Sequence, residues 1–187
     1  MTNEATKTED PAVSALLERL REEFGDAILE TEMARDMPVI VCTREKSFAL
    51  LKFMKEEAGC NLLTDVTAVD YLKYPIKQRQ RFAVVYLLHS LEHGYRFRIK
   101  VYLGMAHLNI DSVESLWKTA NWLEREVFDM YGVEFNNHPN LKRILNHIEF
   151  EGHPLRKNYP IERRQVLTIN DSLMDEMEKR LVEKGLK

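Results

Sequence analysis

The sequence has little of what most enzymatic sites are built from. Its only two cysteines, Cys42 and Cys60, lie far apart and lack a CxxC partner. Structural zinc and iron–sulfur centres draw three or four thiolate or imidazole ligands, usually from close pairs, so neither cysteine begins such a set. In a reducing compartment both default to small buried hydrophobes. Six histidines occur, but no HxH or HExxH spacing joins them, and metal ligation has no anchor. No Gly-rich phosphate loop, nucleophile elbow or thiol with a placed base is present. The longest purely apolar run is Phe82 to Leu88, where a membrane-spanning helix needs about 20 residues. The first residues, MTNEATKTEDP, lack the basic and apolar regions of a signal peptide, so the chain is expected to stay in the cytosol. A net charge of −3 argues against a dedicated nucleic-acid binder.

What is present is one domain's worth of core. The 187 residues are 44% hydrophobic and 30% charged, enough for a single domain and too few for two. Residues 1–9 read as a disordered tail. A helix is expected from Pro11, with Asp10 as its N-cap and Gly25 closing it; Val13, Leu16, Leu17, Leu20 and Phe24 recur at helical spacing. Ala27–Thr31 and Val39–Cys42 read as a hairpin around the polar stretch EMARDMP. Thr43 is placed to cap a second helix over about 44–58, ended by Gly59.

Three strands follow: Leu62–Tyr74, stopped by Pro75; Phe82–Leu88, apolar throughout and suited to a central position; and Tyr95–Leu103. The last alternates. Tyr95, Phe97, Ile99, Val101 and Leu103 point one way; Arg96, Arg98, Lys100 and Tyr102 point the other. The pattern predicts an α+β fold, a mostly antiparallel sheet with helices packed on one face, over residues 10–133. Arg96, Arg98 and Lys100 lack interleaved aromatics for stacking bases and are expected to pair with Asp65 and Asp70. Asp111 is expected to cap a helix from about Ser112 to Met130, stopped by Gly132.

From residue 134 to 187 the regular pattern fades. His138-Pro139, His153-Pro154 and Tyr159-Pro160 break it. Ile144, Leu145, Ile148, Phe150 and Leu155 are too apolar for disorder, so the segment is expected to be an extended arm that binds a partner. A short helix follows, carrying Leu173, Met174, Met177 and Leu181 and capped by Asn170 or Asp171. Six cations against three acids leave Pro139–Arg164 at about +3, which fits an acidic groove on a protein partner. Glu124, Glu126 and Asp129 read as an ion-pair lattice receiving Lys142, Arg143, Arg156 or Lys157, with Arg125 and Asp129 as an (i, i+4) pair. A hydrolase using Glu126, Asp129 and a histidine, or a nucleic-acid module on the cationic strand, is the reading from another class. Neither has a nucleophile, metal set or stacking platform behind it.

Two blocks carry a resemblance. Glu124-Arg125-Glu126, Asp129-Met130-Tyr131, His138-Pro139, Lys142-Arg143 and Ile144-Leu145 form the first. Phe150, Gly152-His153-Pro154-Leu155-Arg156-Lys157 and Tyr159-Pro160 form the second. In order and spacing they resemble the C subunit of respiratory complex I, the proton-translocating NADH:quinone oxidoreductase. Asn137 stands where that family usually has glycine, a mild change because asparagine tolerates the left-handed conformation.

The resemblance implies a scaffold subunit of the peripheral arm with no cofactor, metal or catalytic residue of its own. Electrons would pass from NADH through FMN and iron–sulfur clusters in partner subunits to quinone. It implies the large quinone-site (D-type) subunit and neighbouring iron–sulfur subunits as partners, with these two blocks as family signature and partner interface. It also implies a peripheral place on the cytoplasmic side of the cell membrane, touched only through the complex. The equivalent subunit of a membrane-bound hydrogenase or of a ferredoxin- or F420-linked quinone reductase is the alternative. On this reading much of the arm's stability is expected to arrive with the partner.

Overall fold

A computed structural model describes residues 11–35, 37–162, 165 and 172–185. The expected tail at 1–9, the Asp10, Asn170 and Asp171 caps, Arg163 and Arg164 lie outside the described residues, as do the side chains of Leu173 and Met174.

Helix α1, Pro11–Phe24, buries Val13, Leu16 and Leu20, the face its spacing predicts. Phe24 meets Phe53 edge-to-face at 5.7 Å. Helix α2, Arg44–Glu56, buries Leu50, Leu51, Phe53 and Met54. Between them β1, Ile28–Ala34, and β2, Met37–Cys42, pair antiparallel; both strands run further into the polar stretch than expected, so the turn is tight and Arg35 takes φ +51°.

Strands β3, Leu62–Asp70, β4, Phe82–His89, and β5, Arg96–Leu103, form the expected antiparallel meander, although β3 ends at Asp70, four residues short of the expected Tyr74. The five-stranded order is β1-β2-β5-β4-β3, and β2 runs parallel to β5. The sheet is therefore mixed, and its centre is β5 rather than β4. Strand β4 is nonetheless covered on both faces: Phe82, Val84, Tyr86 and Leu88 join the helix-side core, and Ala83 and Val85 are buried on the other side. Strand β5 alternates as its sequence predicts, with Phe97, Ile99, Val101 and Leu103 inward.

Two expectations fail here. Asp65 and Asp70 do not pair with the cations of β5, because β4 separates the two strands. Asp70 also sits on the helix-side register with Val66 and Ala68, and binds Arg81 instead. Lys100 lies over the rings of Tyr71 and Tyr102 at 5.9 and 5.5 Å.

Asp111 is not a helix cap. It ends β6, Asn109–Asp111, which runs parallel to β7, Glu134–Asn136. Turns fill 112–119, and helix α3 begins at Ala120 and ends at Tyr131. The apolar spacing misleads because Val113 and Trp117 are buried from the turns as they would be from a helix. Gly132 stops α3 at φ +73°. Asn137 adopts φ +61°, a left-handed conformation that asparagine tolerates. Helix α4, Ser172–Glu183, follows the arm.

Tyr86 is fully buried, and its hydroxyl has no hydrogen-bond partner among the described residues. An unpaired buried hydroxyl costs about 1–3 kcal/mol. Tyr86→Phe is expected to stabilise the isolated chain by about 1 kcal/mol, a Tm rise of a few degrees. A lower Tm would show that the hydroxyl is satisfied by solvent.

Candidate functional site

The last four carbonyls of a helix have no partner within it. In α3 all four are filled, three of them by the arm. Gly132 N–H donates to Phe128 O at 2.8 Å. His153 Nδ1 donates to Asp129 O at 2.9 Å, the Leu155 amide to Met130 O at 3.2 Å, and Arg156 Nε to Tyr131 O at 2.6 Å. The Gly-His-Pro-Leu-Arg block is thus a cap built across the end of α3. A carbonyl only accepts, so Nδ1 of His153 carries the ring proton. Burial lowers the imidazole pKa, helped by Arg156 and Arg143 nearby, and favours the neutral ring.

Asp129 is the second fastener. Its side chain is fully buried. Oδ2 accepts the consecutive amides of Ile144, Leu145 and Asn146 at 3.1, 2.9 and 2.8 Å. Oδ1 accepts Arg143 Nη1 at 2.7 Å and Asn146 Nδ2 at 2.9 Å. Burial opposes ionisation, but the bonds from Asn146, Arg143 and Leu145 outweigh it and hold the pKa down to about 2. Arg143 also donates to Gly152 O at 3.0 Å and lies over the Phe150 ring at 5.9 Å, so it joins the two blocks. The expected Arg125–Asp129 pair does not form. Arg125 stacks on Trp122 at 4.9 Å and donates to Lys142 O at 3.1 Å.

The third fastener, a carboxylate missed as a site from sequence, holds the far end of the second block. Asp70 takes Arg81 in a two-pronged contact, Nε to Oδ1 at 3.1 Å and Nη2 to Oδ2 at 2.9 Å. It also accepts the Leu72 and Lys157 amides at 3.0 and 2.8 Å. Burial again works against ionisation and is outweighed, first by Arg81 and then by the Lys157 and Leu72 amides, so the pKa is lowered. The available signal was an acid on the apolar register of β3. Beyond it Phe150 and Tyr159 stack at 5.9 Å, and the Gln165 side chain bridges Tyr159 Oη and the Glu151 backbone.

The three acids of α3 do not form one lattice. Glu126 is exposed. Glu124 is fully buried and accepts the Ser112 hydroxyl at 2.6 Å and the Val113 amide at 2.7 Å, tying the turns before α3 to the helix. His138 Nε2 lies 3.9 Å from Glu124 Oε2 and donates to Asn121 O, while Nδ1 accepts the Asn140 amide. Burial pushes Glu124 up to about 7, against the bonds from Ser112 and Val113. A carboxyl that holds its proton more tightly when folded adds stability below its unfolded value, and that contribution is lost as pH rises through about 7. Between about pH 4 and pH 8 the wild type is expected to lose about 3 kcal/mol that Glu124→Gln keeps. Denaturant unfolding at both pH values checks this; parallel curves for the two proteins would refute it.

Pro139, Lys142, Lys157 and Pro160 are exposed, and Pro154 is half-buried. Among the described residues no group of three or more His, Cys, Asp or Glu side chains is placed to hold a metal ion. Burial pushes both thiols up to about 12, so neither is a thiolate at neutral pH. Asp129 accepts five hydrogen bonds and Glu124 two, so both buried carboxyls hold backbone in place. Facing outward from it are Leu145, Leu155, Ile148 at 81% exposure and Ile161 at 96%.

The model of the respiratory-chain NADH dehydrogenase 30 kDa subunit matches residues 40–165. The NADH-quinone oxidoreductase C subunit of Geobacter sulfurreducens is 47% identical over 144 residues, 77% of this chain and 87% of that protein. Its counterpart in Geotalea uraniireducens is 48% identical over 145 residues, 77% and 85% of the two chains. Among solved structures, a trypsin-resistant fragment of Nqo5, residues 1–134, superposes with a TM-score of 0.63 at 34% identity, covering 70% of this chain and 99% of the fragment. A chain of an archaeal membrane-bound sulfane sulfur reductase shares the fold at 22% identity and a TM-score of 0.66, covering 80% and 86%. Signature blocks, α+β fold and relatives coincide on the same stretch of chain: the protein belongs to the family of the respiratory-chain NADH dehydrogenase 30 kDa subunit, the C-subunit family of NADH-quinone oxidoreductase.

Proposed function

We propose that this chain is a scaffold subunit in the peripheral arm of a proton-translocating NADH:quinone oxidoreductase. It carries no redox centre; FMN and iron–sulfur clusters reside in partner subunits and pass electrons from NADH to quinone. Its partners are the large quinone-site subunit and the neighbouring iron–sulfur subunits. It sits on the cytoplasmic side of the cell membrane and meets the membrane only through the complex. No helix among the described residues is long and apolar enough to cross a membrane, which is compatible with that placement.

One observation carries the reading. The arm turns its polar groups inward onto Asp129, Asp70 and the end of α3, and leaves Leu145, Ile148, Leu155 and Ile161 outside. A polar-fastened, apolar-topped segment is pre-organised for a protein partner, which lowers the ordering cost of binding. Residues on the outside are the ones to test. Ile148→Asp in a tagged chain is expected to abolish co-purification of the other subunits in mild detergent, with Tm of the isolated chain unchanged. Undiminished co-purification would sink the proposal.

A further inference from the structure

The four exposed apolar anchors of the arm are a small surface for a stable association, which must offset lost translational and rotational freedom. The structure offers a second surface next to it. Residues 71–81 connect β3 to β4, adjacent antiparallel strands that two residues can join. An eleven-residue connection there is longer than the strand pairing requires.

Its base is locked from several sides. The Tyr71 amide donates to Arg81 O at 2.7 Å, and the Tyr74 amide to Tyr71 O at 2.9 Å. Tyr102 Oη donates to Gln78 at 2.9 Å, and Arg79 pairs with Glu30 at 3.3 Å. What the loop presents outward is apolar and cationic: Leu72, Tyr74, Ile76 at 67% exposure, Lys73 and Lys77. Leu72, Tyr74, Ile76 and Lys77 line one side of an open hollow of about 380 Å³ whose other side is polar, with Gln78 and Gln80. The loop has four cations and no acid. Glu30 and Asp70 neutralise Arg79 and Arg81; Lys73 and Lys77 have no acidic partner among the described residues.

The loop is continuous with the arm. Arg81, its last residue, donates to Asn158 Oδ1 at 2.6 Å, and Asp70, just before it, accepts the Lys157 amide. We propose that loop 71–81 is a second docking element, which grips the same neighbouring subunit as the arm by receiving an acidic segment of that chain beside its two unpaired lysines. This rests on the docking role proposed for the arm. A membrane surface fits less well: two unpaired lysines are too few to hold the chain at an anionic leaflet, where recognition takes a larger basic cluster. A nucleic acid would find one exposed aromatic, Tyr74, to stack on.

A photo-reactive benzoylphenylalanine placed singly at Tyr74, Ile148 and Leu91 of the chain in the purified complex tests this. Leu91 lies exposed at the opposite end of β4 and serves as the control. The Tyr74 probe is expected to crosslink to one identified subunit, at a peptide containing Asp or Glu, and the Leu91 probe not to reach that peptide. A silent Tyr74 probe beside a productive Ile148 probe overturns the loop proposal and leaves the arm's role standing; silence from both overturns both. Crosslinking of Tyr74 to lipid, or flotation of the isolated chain with phosphatidylglycerol vesicles, also overturns it. Lys73→Glu/Lys77→Glu is expected to lower incorporation into the complex about tenfold at low salt, less at high salt, with Tm unchanged. Equal incorporation would count against it.

Discussion

Asp129→Ala is expected to destabilise the isolated chain by about 3–5 kcal/mol, the range seen when one partner of a buried ion pair is removed. Five bonds end on this carboxylate: three backbone amides, the Asn146 side chain and the Arg143 guanidinium. Removing it leaves three consecutive N–H groups unpaired and takes from Arg143 its carboxylate partner. At roughly 2–4 °C per kcal/mol for a chain of this size, Tm falls by about 10 °C. Glu126→Ala, an exposed neighbour on the same helix, is expected to stay within about 0.5 kcal/mol.

The acid limb of the pH curve gives a second readout. A carboxyl with a depressed folded pKa adds stability above its unfolded value of 3.8 and loses it as pH falls to about 2. Wild type should lose about 2 kcal/mol over that window that Asp129→Ala has already lost. A mutational cost under about 1 kcal/mol would mean that the arm is not held by this node.

Local periodicity decided which parts of this fold were legible. Strand β5 alternates strictly, and the structure follows it residue by residue. Gly132 was legible as a helix stop because a left-handed backbone restricts residue choice, whereas Asn137 was marked only by the family resemblance. The order of strands was not, because the parallel pairing of β2 with β5 is set by packing across the sheet rather than by either strand's own pattern. The start of α3 was misplaced for a related reason: a three-to-four spacing describes the buried turns at Val113 and Trp117 as well as it describes a helix.

Charge was the least legible layer. Arg125 and Asp129 have ideal helical spacing, yet the pair does not form. Such a pair is worth about 0.3–0.5 kcal/mol on a solvated helix; the competing nest of amides plus Arg143 is buried and multiply bonded. Sequence separations of 14 to 17 residues link Asp129 to those donors, and nothing in a local pattern encodes them. The expectation that much of the arm's stability arrives with a partner runs against these same contacts where the backbone is concerned. Amides of Ile144, Leu145, Asn146, Leu155 and Lys157 already have partners within the chain. What remains for a partner to stabilise is the outer row of apolar side chains.

Gly132→Ala is expected to cost about 3–5 kcal/mol, and the size of that loss separates two mechanisms. Left-handed backbone at φ +73° accounts for about 1–2 kcal/mol with any L side chain. The rest is steric. A Cβ at Gly132 would overlap His153 Nε2 and Arg156 Nη2, with the imidazole Cδ2 2.7 Å away. Neither group can retreat freely. His153 is fixed by its bond to Asp129 O and Arg156 by its bond to Tyr131 O, so relieving the overlap reopens the end of α3. Gly25→Ala isolates the backbone contribution, because φ is +44° there and no atom lies within 4 Å of the added carbon; it should cost only about 1 kcal/mol. A double-mutant cycle completes the argument. In a His153→Ala background much of the overlap is gone, so Gly132→Ala should cost at least about 1 kcal/mol less than in the wild type. Strict additivity of the two substitutions would show that the imidazole does not press on Gly132, and that the cap over α3 is looser than its distances imply.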